Sequence, residues 1–265
     1  MVSEDTGFEG NLVSEVTEDA KVVLTYEEGN HIAGFAYVTL SNSEGHGKEA
    51  NLKLYVTASK RRKGIGTELY NALSRQLEKE NLNVLVAYMR VDEEDPSSFC
   101  KKFGFNKWWG SPELIFRGEP FRNSDLDFHQ YEDMYYEQYR TIKNECYYEI
   151  QRSNDLKPYE LSYSNEERKG LLNNSGNTYL VLNKDEVVAS VTIGVGEIDN
   201  LMVSPGYQGN GYGKKCLQFA INKMLDNGYE EIRICYMEGN DSAEKLYYSL
   251  GFKPLQLTHV YRKIL

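Results

Sequence analysis

No apolar run in this sequence approaches the ~18 residues that a membrane-crossing helix needs. Its acidic start lacks the charged-then-apolar pattern of a secretory leader, so neither a span nor a signal peptide is expected. Positive charge is in deficit: 30 Lys and Arg stand against 40 Asp and Glu, a net of −10. That balance disfavours nucleic acid and anionic membrane as partners and favours cationic ones. The four cysteines (Cys100, Cys146, Cys216, Cys235) show no C-x-x-C pairing, and three lie in apolar helix or strand patterns. They read as reduced core thiols, which suggests the cytoplasm. Histidine is scarce too, and His129 and His259 have no partner at ligand spacing, so both read as structural and no metal is expected.

What is present centres on residues 197–227. Glu197-Ile198-Asp199-Asn200-Leu201-Met202-Val203 is a short apolar run closed by Ser204-Pro205-Gly206 and reads as a strand. Cys216, Leu217, Ala220, Ile221, Met224 and Leu225 then recur at helical spacing before Gly228. Between them, Gly209, Gly211 and Gly213 let backbone N–H groups converge at a helix N-terminus, whose dipole favours an anion. The common nucleotide loops do not fit. A Walker loop needs Gly at Gln208 and Ser or Thr at Lys215, and the dinucleotide fingerprint G-x-G-x-x-G fails against G-x-G-x-G.

The length of 265 residues favours two domains, and an internal repeat supports that. Pairing Leu54-Tyr55-Val56-Thr57 with Leu201-Met202-Val203-Ser204 gives an offset of 147 (201 − 54). Gly64/Gly211, Gly66/Gly213, Phe99/Leu246, Gly104/Gly251 and Phe105/Phe252 keep it without a gap. A period this long indicates a duplicated domain, each copy α/β with strands around crossover helices. The first half reads as an acidic arm over 1–20, a hairpin (22–26 and 32–40), strands over 51–56 and 82–88, and a helix with Ile65, Leu69, Leu73 and Leu77 on one face.

Residues 119–170 carry 12 acidic and 7 basic side chains, a net of −5 (7 − 12), and many tyrosines. Tyr131, Tyr135, Tyr139, Ile142, Cys146 and Ile150 follow helical spacing, as a stripe packed on the second sheet would. Tyr136 and Tyr148 lie off the stripe. With Asp127, Glu132, Asp133 and Glu137 they are expected in an aromatic and acidic wall that attracts an ammonium group.

Gln208-Gly209-Asn210-Gly211-Tyr212-Gly213 resembles the Q/R-x-x-G-x-G/A loop of the GNAT superfamily of acyl-CoA-dependent N-acetyltransferases. Downstream, Asn240, Ala243, Leu246, Tyr247, Gly251 and Phe252 match that family's N-x-x-A-x-x-L-Y-x-x-x-G-F pattern in the correct order. The resemblance covers nearly the whole second half, with a weaker copy over 21–117. It implies two tandem GNAT-like domains of the α/β class, each a mixed, mostly antiparallel sheet flanked by helices. Residues 1–118 would be a degenerate copy and 119–265 the catalytic one, including a Tyr-rich helical segment over 124–172. It further implies acetyl-CoA as cosubstrate and a primary amine, by charge a small cationic one, as acceptor. Gln208, Gly209, Asn210, Gly211, Tyr212, Gly213 and Lys214 would hold the pyrophosphate, Asn240 the pantetheine arm, and backbone amides at Leu201, Met202 and Val203 the thioester carbonyl. Tyr247 takes the family's general-acid position and Glu197 that of a general base, against plainer readings as a buried helix tyrosine and a solvated strand-end carboxylate.

Carried back by 147, Tyr247 becomes Cys100, Asn240 becomes Glu93 and Glu197 becomes Ala50, so the first half would lack the chemistry. Its loop Lys60-Arg61-Arg62-Lys63-Gly64-Ile65-Gly66 puts four cations at a helix N-terminus, an unfavourable end without an anion, which raises the expectation of a second coenzyme A there. Two alternatives stay open: a non-catalytic acyl-CoA-binding sensor, and an acetyltransferase acting on an α-amine or lysine of a protein.

Overall fold

The computed structural model describes residues 20–29, 31–43, 45–92, 94–161 and 164–265. All but the last residue of the expected acidic arm, and Glu93, lie outside them. The chain forms two compact units: one ends at Trp108 and takes in His259–Leu265, and the other is Trp109–Thr258. The division therefore falls at 108/109, not at the expected 118/119, and the last seven residues join the first unit, where the Leu265 N–H donates to the Asn83 carbonyl at 2.9 Å.

In the first unit β1 (Ala20–Glu28), β2 (His31–Ser43) and β3 (Gly47–Val56) form an antiparallel meander, and β4 (Val84–Arg90) pairs parallel to β3. Helix α1 (Ile65–Leu77) buries Ile65, Leu69, Tyr70, Leu73 and Leu77, the expected face with one tyrosine added, against Ala36, Val38, Leu52 and Ala87. The short α2 (Ser97–Lys102) buries Cys100 beside Phe105.

In the second unit the sheet order is β5–β10–β9–β8–β7–β6. Its strands are β5 (Asn106–Phe116, in this unit from Trp109), β6 (Phe128–Gln130), β7 (Thr178–Asn183), β8 (Glu186–Ile193), β9 (Glu197–Val203) and β10 (Ile232–Cys235). All neighbours are antiparallel except β9 and β10, which the crossover helix α5 (Tyr212–Asp226) joins in parallel. Buried Cys216, Leu217, Ala220, Ile221 and Met224 seat α5 on one face with Val188, Val191, Ile198 and Ile234. On the other face α3 (Tyr136–Ser153) buries Tyr139 and Ile142 with Leu180, Val187 and Met202. A capping box of Ser164 and Glu167 starts α4 (Asn165–Asn173), and α6 (Asp241–Ser249) leads to β11 (Lys253–Ile264).

Candidate active site

The strand into the glycine loop is not regular. Across β8 and β9, Ser190 faces Met202 but Thr192 faces Asp199, so β9 spends one residue more than its partner. The extra residue is absorbed at Asn200, whose φ of 46° lies in the left-handed region that asparagine tolerates better than most residues. The bulge also flips the alternation. A regular strand would carry Glu197, Asp199, Leu201 and Val203 on one face, as the sequence suggests. Instead Leu201 and Val203 join Ile198 against α5, and Met202 turns to the α3 side, the side left to Glu197 and Asp199.

Beyond the bulge β9 also leaves its other neighbour. Parallel pairing to β10 is confined to Arg233↔Glu197 and Ile234↔Ile198. The Ser204 N–H donates to Val188 on the β8 side at 2.9 Å, so strand alternation turns the N–H groups of Leu201 and Val203 toward the open edge and that of Met202 toward β8. The Val203 carbonyl on that edge accepts from Gln208 Nε2 at 3.0 Å and from Cys146 Sγ at 3.3 Å.

The loop is tied down by its own polar groups. Asn210 Nδ2 donates to the carbonyls of Tyr207 and Gln208 at 3.2 Å each, and the Tyr207 hydroxyl donates to Glu186 at 2.8 Å. Gly209 and Gly211 sit at φ 77° and 83°, and a Cβ on either would meet nothing within 4 Å. The first helical bond is Lys215 N–H to the Gly211 carbonyl. Among the described residues nothing accepts from the N–H groups of Gly209, Asn210, Gly211, Tyr212, Gly213 and Lys214. Six donors at an exposed helix entry fit the pyrophosphate of acetyl-CoA on their own chemistry.

Tyr247 on α6 is 6% exposed, its ring 5.9 Å from Tyr236 and 6.0 Å from Phe252. Burial, reinforced by Tyr147, Cys235 and Tyr236, pushes its pKa well above the ordinary tyrosine value. Such a phenol holds its proton, as an acid must. Asn240 caps α6 by accepting from the Ala243 N–H at 3.1 Å, which leaves its amide nitrogen available. The Glu197 and Asp199 carboxyls are raised, both first by burial; Glu197 is raised further by Asp199 and Glu113 while Arg233 opposes.

Three expectations need correction. Tyr136 is no part of an open wall: it is 7% exposed in the α3 core, the Arg168 guanidinium covers its ring at 4.5 Å, and that arginine binds Asp133 through both carboxylate oxygens. Tyr148 is half-buried with Arg152 over its ring at 5.9 Å. Cys235 is exposed, because the β10 alternation turns Ile232 and Ile234 inward. One further side chain at the site carries no signal in the sequence. Tyr147 on α3 donates to Asn200 Oδ1 at 3.4 Å, and burial and then Tyr139, Cys146, Asp199 and Cys235 raise its pKa. It sits one position round the helix from Cys146 and could have been found only by knowing which way β9 turns.

Three of the four cations of the first-unit loop have carboxylate partners. Lys60 pairs with Glu28 at 2.5 Å, Arg62 with Glu94 at 2.7 Å, and Arg61 reaches Glu94 at 3.6 Å. For these three the premise that the loop cations lack an anion is corrected.

Residues 130–252 match the Acetyltransferase (GNAT) family model and residues 18–107 a GNAT-domain model. The chain is 31% identical over 122 residues to a [Ribosomal protein bS18]-alanine N-acetyltransferase of Haemophilus ducreyi, an alignment spanning 43% of this chain and 79% of that protein. Among solved structures it resembles a GCN5-related N-acetyltransferase from Sphaerobacter thermophilus (TM-score 0.63, 16% identity, 96% of this chain and 84% of that one). It also resembles a tandem GNAT protein from the clavulanic acid biosynthesis pathway (TM-score 0.60, 14% identity, 91% and 82%). Acetyl-CoA is the cosubstrate of GNAT acetyltransferases, and this chain belongs to the GNAT superfamily as a tandem, two-domain member.

Proposed function

We propose that the second repeat transfers an acetyl group from acetyl-CoA to a primary amine, by charge that of a small cationic molecule, through direct attack. What supports this reading above all is one conjunction within a single unit: an open six-donor loop, a bulged strand released from its neighbour, and a buried phenol. Acetyl-CoA, when bound, supplies the activated thioester. The N–H groups of 209–214 bind its pyrophosphate, the Asn240 amide steadies the arm, and the Leu201 and Val203 N–H groups stabilise negative charge growing on the carbonyl oxygen. A β9 carboxylate receives the proton of the amine, and the Tyr247 hydroxyl gives its own to the departing sulfur. The first repeat serves as scaffold, with one coenzyme site per chain.

A second reading, that the acceptor is the α-amine of a protein, is favoured by the name of the Haemophilus ducreyi relative. Free-thiol release from acetyl-CoA over a panel of polyamines, aminoglycosides, amino acids and Ala-starting peptides separates the two. Turnover only with the peptides would replace the small-molecule reading, and tight coenzyme binding without thiol release from any amine would leave a sensor.

A further inference from the structure

Two carboxylates of β9 stand on its α3 side, and their surroundings differ. Glu197 lies in the paired part of the strand, opposite Arg233, whose cation opposes the rise of its pKa. Asp199 is the first residue past the last β9–β10 pair, Ile234↔Ile198, and the last before the bulge at Asn200. It is half-buried, and among the described residues nothing donates a hydrogen bond to its carboxylate. Gly194 leaves it room: a Cβ there would come within 3.2 Å of Asp199 Oδ2. The titratable groups around it are Glu197 on its own strand, Cys235 on β10 and Tyr147 on α3, the last two feeling its charge as Tyr247 feels theirs. Arg233, the cation of β10, lies at 3.5 Å from Glu113 of β5.

Resting on the proposed reading of the site, we propose that Asp199, not Glu197, is the base that takes the proton from the acceptor amine. The position follows from the bulge. Leu201 and Val203 turn their side chains to the α5 side while Asp199 stays on the α3 side, so the carboxylate stands on the opposite face from them, immediately before the stretch whose N–H groups point to the open edge. The Asp199 carboxylate removes one proton from the ammonium and passes it to water. The freed lone pair forms the N–C bond as the C–S bond breaks, Tyr247 protonates the sulfur, and the second nitrogen proton restores the phenol. No further reactant is needed. Glu197 then acts by charge, drawing a cation to the edge beside Arg233.

The test compares Asp199→Asn and Glu197→Gln in the full chain, with rate against pH and acetyl-CoA affinity by calorimetry. With the raised carboxyl of Asp199 as base, wild-type activity falls as pH drops through a value above that of an ordinary aspartate. Asp199→Asn should lose that acid limb and ~10²–10⁴ in kcat, the usual worth of a positioned base, with acetyl-CoA affinity kept. Glu197→Gln should keep the limb and mainly raise the KM of cationic acceptors. A limb that survives Asp199→Asn and vanishes in Glu197→Gln, or survives in both, overturns the assignment. Failure of the wild type to acetylate any amine would instead sink the reading beneath it. Thermal melts guard against misfolding: a carboxyl whose folded pKa is raised opposes folding once ionised, so Asp199→Asn should melt no lower than wild type at pH 7 and lose any advantage below the ordinary carboxylate range.

Discussion

Arg61 Nε donates to the Val56 carbonyl at 3.0 Å, and 147 residues later Gln208 Nε2 donates to the Val203 carbonyl at 3.0 Å. The backbone around these bonds repeats as well. Thr57 to Ala33, Lys60 to Thr57, Arg61 to Ala58 and Glu68 to Gly64 recur as Ser204 to Val188, Tyr207 to Ser204, Gln208 to Pro205 and Lys215 to Gly211. Gly64 and Gly211 both lie at positive φ, 91° and 83°. The strands feeding the loops are where the copies part. β3 pairs with β2 without a register shift and with β4 at four positions, whereas β9 bulges at Asn200 and pairs with β10 at two. Cys100, 1% exposed, stands at the place of Tyr247 (247 − 147), its thiol pushed up to about 12 first by burial. The two loops are therefore alike in glycines and short-range bonds, and on the proposed reading what sets the second repeat apart is the bulge at Asn200 and the Tyr247 phenol.

The contrast is broken most directly at the phenol. Tyr247→Phe should lower kcat by ~10²–10⁴, the usual worth of a positioned acid, with acetyl-CoA affinity little changed. Cys100→Ala, its counterpart in the first repeat, should reduce stability by loss of packing and leave kcat as it was. Equal rates for Tyr247→Phe and wild type would remove Tyr247 from the reaction. A smaller effect is expected at the glycines. Gly211→Val and Gly64→Val impose the same left-handed strain, ~1–2 kcal/mol of stability each. A Cβ has open space at both, but only Gly211 lies in the proposed coenzyme seat, and there acetyl-CoA should bind about tenfold more weakly or worse, tenfold being ~1.4 kcal/mol. Gly213 is a different case, since its Cβ would meet Leu246 and Val203 at ordinary distances of 3.5 and 3.6 Å, so alanine fits there.

Much of this contrast is legible in the sequence. The offset was legible because Gly64/Gly211, Gly66/Gly213 and Phe105/Phe252 mark backbone turns and core contacts that tolerate few other residues. Helix α5 and the Asn240 cap were legible because apolar spacing and capping are local. The bulge was not, because hydrophobic alternation carries no count of residues on the facing strand; an Asp-Asn pair before apolar residues was the one hint, Asn being at ease with positive φ. Tyr147 was missed and Tyr136 misplaced for the same reason, as their neighbours are strands and an arginine far along the chain. Nor could the sequence say that His259–Leu265 join the first unit, because strand partners are chosen by long-range pairing.

The smallest expected effect lies in the first loop, and it tests whether that loop is merely masked. Glu94 engages Arg61 and Arg62, and Glu28 engages Lys60 with Lys63 adding to the attraction. The Lys60 hydrogen bond holds the Glu28 carboxyl below its ordinary value, so what that pair contributes is present at neutral pH and fades as pH falls through the lowered value. Exposed pairs of this kind contribute little, and Glu28→Gln with Glu94→Gln should barely move the melting temperature. The double variant would leave the four cations at a helix N-terminus without Glu28 and Glu94, a more favourable case for a second coenzyme. Titration calorimetry should nevertheless find one acetyl-CoA per chain and an unchanged kcat, because β3, although its pairing with β4 also ends short, at Leu52↔Ala87, has no bulge against β2 like the one at Asn200. If a second site appeared in the double variant, the carboxylates alone would separate the repeats. A second site already present in the wild type would mean that an unbulged strand is no bar to the coenzyme, and the bulge would lose its place in the comparison.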